Sequence, residues 1–372
     1  MIRHLVLLGV GPGHWRFLQA LLKRRGADIA ITLVTRQEHY FSRFAILQGV
    51  SCQQPMPDCG LPLEPMLRRV NVNWLEHSAS AIDANAKVLL LDDGRELRFD
   101  WLSCEPEPLQ DRALAETLLP GARANGLFTR PREAFAKLWP EVARLAGERP
   151  QRIAVVAGAL GAPRVPWPDE QFAIEMAFAV RQAFAGSAVT LVTGGDVLAA
   201  GTSGALQARI QQALKRQGIT VLVDRAISIL PQEVTLNSGA RLACDVPLLV
   251  LATQTAPFAA GSGLALVDSG LIAVDRAQRS VSHGHVFASQ EGQARNARTL
   301  ATSLQGVIAG KASAPSRAKQ NAKSAERAES WSQMALIQCG NGRAIVSWRG
   351  WAWSSRIAGA LARAEVLELD GD

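Results

Sequence analysis

The chain of 372 residues has no run of about eighteen apolar residues, so a helix spanning a bilayer is not expected. It has few cysteines. The five, Cys52, Cys59, Cys104, Cys244 and Cys339, are odd in number and irregularly spaced, which argues against a disulfide scaffold and makes the cytoplasm the default compartment. No paired-cysteine zinc pattern and no Ser/His/Asp hydrolase elbow occur, and no metal site is expected. Nor is there a concentrated basic tract. Lys and Arg exceed Asp and Glu by 40 − 33 = +7, but the cluster from Lys311 to Arg327 is diluted by Ala and Ser. That balance argues against a nucleic-acid partner and remains compatible with an anionic membrane face or a nucleotide phosphate.

What is present is an ordered series of apolar strands. His4 to Gly9 reads as a buried parallel strand. A glycine turn follows, and Trp15, Phe17, Leu18, Leu21 and Leu22 then recur at helical spacing up to Gly26. Ile29 to Val34 is a second strand. Residues 41–65 read as irregular. Val88 to Leu91 and Leu97 to Phe99 flank an Asp-Gly turn as a hairpin, and residues 105–131 read as a proline-rich connector. The order then repeats. Ile153 to Val156 is a strand, Asp169 to Phe184 a helix, Val189 to Val192 a strand, Ala205 to Gln217 a helix and Ile219 to Val223 a strand. A hairpin over Thr235 to Leu242 and a buried strand over Leu248 to Ala252 complete the second round. A duplication at domain scale implies an α/β fold of two Rossmann-like dinucleotide-binding domains, with a small C-terminal segment. Short strands are expected at Leu271 to Val274 and Val286 to Ala288, and a helix from Ala294 to Ile308. Residues 311–330 read as a linker or a solvated helix. In the tail, strands are expected at Ala335 to Ile337 and Ala344 to Trp348, and a helix from about Ser354 to Leu369.

The candidate binding residues lie at the two glycine turns. Gly9-Val10-Gly11-Pro12-Gly13-His14 follows a strand and opens a helix. Gly9 permits the tight turn, and Gly11 lets backbone approach a pyrophosphate at the helix start. After the second strand, Arg36 is a candidate for a phosphate and Glu38 for a ribose. Both read equally as solvated loop charges. The second turn, with Gly158 and Gly161, runs into Pro163, Pro166 and Pro168. Proline removes backbone donors, so the helix starts late and a second pyrophosphate is poorly served.

Cys52 and Cys59 read as unrelated thiols or as a redox pair. Cys104 stands beside Glu105, whose charge disfavours a thiolate. His283 and His285 read as a loop-to-strand junction. Trp348, Trp351 and Trp353, with Arg349, Arg356 and Arg363, suit peripheral membrane contact or docking onto the protein's own core or a second subunit, as in a homodimer.

From residue 3 to about residue 353 the chain resembles the pyridine nucleotide-disulfide oxidoreductases, in the branch that includes type II NADH dehydrogenases and flavoproteins associated with selenide water dikinase. The resemblance rests on His4 to His14, Ile31 to Thr35 with Phe41-Ser42, Ile153 to Gly158, Val189 to Gly195 and Leu251 to Thr253 with Pro257. It continues through Ser262 to Leu264, Ile272 to Asp275, Val281 to His283, Val286 to Ala288 and Leu336 to Ile345.

The resemblance implies a discontinuous FAD domain over 1–120 and 255–312, an NAD(P)-binding-like domain over 121–254, and a linker with C-terminal segment over 313–372. It implies FAD held by Gly9, Gly11, Pro12, Gly13 and His14, histidine being usual at that last position, and hydride passed from NAD(P)H to a quinone or other small acceptor. Three departures stand out. The family's Ala-Thr-Gly is Ala252-Thr253-Gln254, its Gly-Asp is Ser289-Gln290, and the second glycine turn is proline-rich, as in sulfide:quinone oxidoreductase relatives. No residue takes a proton-transfer role. Two readings follow: an FAD-dependent oxidoreductase, or a non-catalytic relative that keeps the fold for binding or assembly.

Overall fold

The computed structural model describes residues 3–23, 29–51, 54–162, 164–254, 257–267, 270–289, 294–310, 335–348, 350–357 and 359. Strand β1 (Arg3–Leu8) leads into helix α1 (Pro12–Leu22), then β2 (Ile29–Val34), helix α2 (Arg43–Val50) and β3 (Asn73–Leu75). A three-stranded meander of β4 (Ala79–Asp83), β5 (Val88–Leu91) and β6 (Glu96–Arg98) precedes β7 (Trp101–Cys104). Helix α3 (Arg112–Leu118), β8 (Leu127–Phe128) and helix α4 (Arg132–Glu148) cross to the second unit.

There β9 (Arg152–Gly158), α5 (Trp167–Ala183), β10 (Ala188–Val192), α6 (Gly204–Arg216) and β11 (Thr220–Leu222) repeat the pattern. A second meander, β12 (Ala226–Leu230), β13 (Glu233–Leu236) and β14 (Arg241–Ala243), leads to β15 (Val246–Leu251). The chain returns through β16 (Val286–Ala288) and α7 (Ala294–Ile308). It ends, among the described strands, in β17 (Ala335–Gln338), β18 (Ala344–Trp348) and β19 (Trp351–Ser355).

The strand order in the first sheet is β16-β7-β1-β2-β3, and in the second β8-β15-β9-β10-β11. All of these pairs are parallel. In each sheet the chain leaves the first strand to one side and later returns on the other. That creates a crevice at the carboxyl ends, between β1 and β7 and between β9 and β15, where such sheets bind ligands. The duplication extends to the rungs. Leu8 pairs with Cys104 and Gly158 with Leu251, and the next residue in each case, Glu105 or Ala252, donates its N–H to Leu8 O or Gly158 O.

Apolar strands with a continuous buried run explain both sheets. Leu5, Leu7 and Leu33 pack under Trp15, Phe17, Leu18 and the α7 residues Leu300 and Leu304. In the second unit Ile153, Val155 and Leu191 pack against Phe172, Ile174, Met176 and Phe178 of α5. Helix α2 belongs by sequence to the first unit, yet its Ile46, Leu47 and Val50 join the second unit's core.

Several local expectations are corrected. The stretch read as irregular contains α2, whose Ser42 Oγ accepts from Ala45 N at 3.0 Å as an N-cap. The connector contains α3, capped by Asp111, and its Ala115 packs in the second unit's core. Each expected hairpin gains a third strand. Leu271 to Val274 makes isolated bridges rather than a named strand. The tail helix does not begin at Ser354: β19 pairs with β18 through Ser355, opposite Ala344. Antiparallel pairing puts Trp348 opposite Trp351, and all three tail tryptophans are open to solvent, at 51%, 77% and 44% for Trp348, Trp351 and Trp353. They do not dock into the protein's own core. The linker read over 311–330, Cys52, Pro163, Gln290, Arg349, Arg363 and the rest of the tail helix lie outside the described residues. Among the described residues no helix is long and apolar enough to cross a membrane.

Candidate functional site: the glycine turn at the end of the first strand

Gly9 continues from β1 with φ +76° and donates to Val34 O at 2.8 Å. A Cβ there would lie 2.5 Å from Pro106 Cα, so both the left-handed turn and the neighbouring backbone require glycine. Gly11 is the N-cap of α1, and Pro12 occupies its first turn, where no N–H is missed. Helix α1 has no side-chain cap and no acid in its first turn. Its first N–H groups and positive end lie at the crevice between β1 and β7, where a helix start favours an anion.

A carboxyl group of the chain itself occupies that place. The carboxylate of Glu105 accepts from Gly13 N at 3.0 Å (Oε1) and from His14 N at 2.6 Å (Oε2). A Cβ on Gly11 would meet Glu105 Cδ at 2.7 Å, and one on Gly13 would meet Oε1 at 2.9 Å. Gly11 and Gly13 thus fit closely around the carboxyl group, with Gly9 against the backbone of Glu105 and Pro106. Glu105 is 5% exposed. Burial pushes its pKa up to about 7, against the opposing pull of the N–H bonds from His14 and Gly13 and a smaller one from Ser289. Ser289 Oγ is buried and makes no well-formed hydrogen bond of its own.

His14 contributes its backbone N–H to this cradle, while its ring points elsewhere. Nδ1 donates to Gly9 O at 2.8 Å, which leaves Nε2 to accept from Ser103 Oγ at 2.7 Å. Burial pulls its pKa down to about 4, so the ring is neutral near pH 7. Its 4.0 Å approach to Glu105 is therefore dipolar rather than an ion pair. The imidazole ties α1 to β7, with both ring nitrogens engaged.

Other candidates fall in different places. Ser289 N donates to Cys104 O at 3.2 Å, beside the cradle. Arg36 stands apart: 67% exposed, it pairs with Asp92 at 2.5 Å and is a surface charge. Glu38 meets Lys137 at 3.5 Å. A polar network continues the crevice. Gln37 Nε2, Arg130 Nη1 and Arg132 N all donate to the Glu107 carboxylate, at 3.1, 3.4 and 2.9 Å.

The second turn has the lateness its prolines imply. Leu160 and Gly161 take left-handed conformations, and α5 begins at Trp167. The N–H groups of Asp169 and Glu170 both donate to Pro166 O at 3.0 Å. Both side chains are buried acids. Asp169 accepts from Thr253 N and Oγ1, and Glu170 from Ala199 N at 2.6 Å. Burial raises both pKa values, that of Glu170 to about 7. Gly158 lies under Leu251, and Gln254 is exposed, its backbone bridged to Leu109. Two carboxylates at the start of α5 are poor company for a phosphate.

The described cysteines form no pair. Cys104, Cys244 and Cys339 are buried free thiols and Cys59 is buried, while the reading of Cys52 with Cys59 falls partly outside the described residues. His283 meets Ser282 and Asn85, and His285 meets Ala84 O, at the start of β16.

Sequence reasoning saw Glu105 only as a neighbour of Cys104. The duplication held a usable signal. The same rung of the second unit is Ala252, so a charged residue at the first strand end breaks the repeat.

No family model matches the chain. The sulfide-quinone reductase of Aquifex aeolicus is 24% identical over 102 residues, 27% of this chain and 24% of that protein. The match thus spans about a quarter of the relative's length. Among solved structures, the sulfide:quinone oxidoreductase of the same bacterium superposes with a TM-score of 0.71 at 15% identity, covering 98% of this chain and 90% of that one. NDH2 from Plasmodium falciparum, in complex with NADH, gives 0.70 at 12%, covering 99% and 95%. The NAD-dependent persulfide reductase of A. fulgidus gives 0.67 at 17%, covering 92% and 63%. The chain has the fold of the pyridine nucleotide-disulfide oxidoreductases, with two Rossmann-like units.

Proposed function

We propose that the chain is an FAD-dependent oxidoreductase whose flavin site is the first unit. The observation that carries the reading is the pair of convergent N–H donors at Gly13 and His14, approached over Gly9 and Gly11 and already shaped around an anion. Gly9, Gly11, Pro12, Gly13 and the His14 backbone would seat the pyrophosphate, with Ser289 and Gln290 toward the ribityl chain. Bound there, FAD would supply the hydride chemistry. The protein's part is position. The neutral His14 ring holds the cradle against β7, and the Glu107 network fixes the chain beyond it.

The electron donor that the resemblance implies is NAD(P)H at Gly158, Gly161, Thr253 and Gln254, and the acceptor a quinone or other small molecule. The acids of α5 weigh against the nicotinamide half. The exposed Trp348, Trp351 and Trp353 supply a face for peripheral membrane contact or for a second copy. The domain division at 120, 254 and 312 belongs to the same proposal.

A second reading, a non-catalytic relative retained for binding, draws on Glu105 itself, which fills the cradle. The test is a titration of purified protein with FAD, followed by anaerobic addition of NADH or NADPH. Flavin bands that bleach support the oxidoreductase. Bands that persist keep the flavin and remove the nicotinamide donor. No FAD binding, either by the natural chain or after removal of the Glu105 carboxylate, leaves the second reading.

A further inference from the structure

We propose that the Glu105 carboxyl group is the resident occupant of the first dinucleotide cradle, so that a dinucleotide enters only by displacing it. This rests on the reading of the first unit as a flavin site. It adds that the chain blocks this site from within.

Competition for donors is the first argument. Both oxygens of Glu105 are engaged, one on Gly13 N and one on His14 N. A phosphate using the same N–H groups would put its oxygens against the carboxylate, and like charges at that separation repel. Space is the second. The positions that Cβ atoms would take on Gly11 and Gly13 lie within 2.9 Å of Glu105 atoms, so the side chain fills the gap that those glycines leave. A bound pyrophosphate needs that same gap.

The third argument is how firmly Glu105 is delivered. Its N–H donates to Leu8 O at 2.8 Å, one rung beyond the Leu8–Cys104 pair, and Pro106 follows it. The side chain is therefore launched from the end of a central strand rather than from a loop. The fourth is what Glu105 does for the fold. Helix α1 has no acid in its first turn and no side-chain cap, and Glu105 meets two of its N-terminal donors from across the sheet. These helix donors are thereby satisfied by the chain itself. In the second unit the same rung carries Ala252, which reaches nothing, and α5 brings its own acids. The occluding carboxylate is a feature of the first unit alone.

The test is FAD titration, followed by quenching of flavin fluorescence, of the natural chain and of Glu105→Ala, Glu105→Gln and Glu105→Asp, with circular dichroism and thermal melting on each. Gln keeps the shape without the charge, and Asp keeps the charge but loses the reach. All three are expected to bind FAD at least about tenfold more tightly than the natural chain, the scale set by losing a charge-assisted contact. Equal, tight binding by all four proteins would overturn the inference and leave the flavin reading standing. If the folded variants bind no FAD either, both fail together. Folding of the near-isosteric Gln variant keeps the comparison decisive even where Ala is unstable.

Discussion

Arg43 of α2 grips Glu175 of α5 across the two units: Nε and Nη2 donate to the same carboxylate oxygen, at 2.9 and 2.6 Å. The other oxygen accepts from Gln338 N of β17 at 3.0 Å and from Gln171 Nε2 at 3.3 Å. One buried carboxylate thus joins the first unit, the second unit and the C-terminal sheet. Arg43→Ala leaves Glu175 buried without its cation. A loss of about 3 kcal/mol is expected, the lower end for breaking a buried pair because Arg43 is partly exposed. Urea denaturation measures it, and a change under about 0.5 kcal/mol would contradict the role given to this pair.

The cradle couples Gly11 to Glu105. Gly11→Ala puts a Cβ 2.7 Å from Glu105 Cδ, and overpacking of that kind costs about 1–3 kcal/mol. In a Glu105→Ala background most of that cost should vanish. A double-mutant cycle reads the difference, and strict additivity would show that the two side chains do not share the space.

Glu105 also sets a pH dependence. Its folded pKa, about 7, lies above the ordinary 4.5, so between those values the folded state holds the extra proton. Its stabilising contribution is complete below about 4.5 and is lost as pH rises through about 7, amounting to up to roughly 3 kcal/mol. His14, the titrating side chain packed against it from α1, works in the opposite sense. Pulled from 6.5 to about 4, it contributes stability that is present above 6.5 and lost as pH falls through about 4. Glu170 shares the direction of Glu105, so the natural chain alone cannot separate them. The difference in stability between the natural chain and Glu105→Gln, followed from pH 4.5 to 8, isolates the first effect. It should move in favour of the variant as pH rises, and a flat difference would count against it.

The buried thiols should be inert. Burial pushes Cys104 and Cys339 up to about 12 and Cys244 up to about 11. Iodoacetamide at pH 8 is expected to leave Cys104, Cys244 and Cys339 unmodified in the native protein and to alkylate all three in denaturant. Peptide mass spectrometry reads this directly, and native alkylation at any of them would reveal an opening absent from the fold described.

Much of the architecture was legible in the chain because it is locally encoded. Apolar runs such as Leu5 to Leu8 and Ile153 to Val156 mark buried parallel strands, Gly9 and Gly11 mark a close turn, and Pro166 with Pro168 marks a late helix. The short helix α2 escaped because its eight apolar-rich residues have little periodicity, and strand β19 escaped whole because Trp351 to Ser355 adjoins a stretch with helical spacing and ends in two serines that carry no strand signal. The sequence by itself determined two dinucleotide-type units and the backbone cradle at Gly9 to His14. Only the tertiary structure decided what fills that cradle. Glu105 reaches it from more than ninety positions away through the register of β7 on β1. Which parallel strand lies beside which is settled by crossovers and core packing, and no local pattern of residues records it.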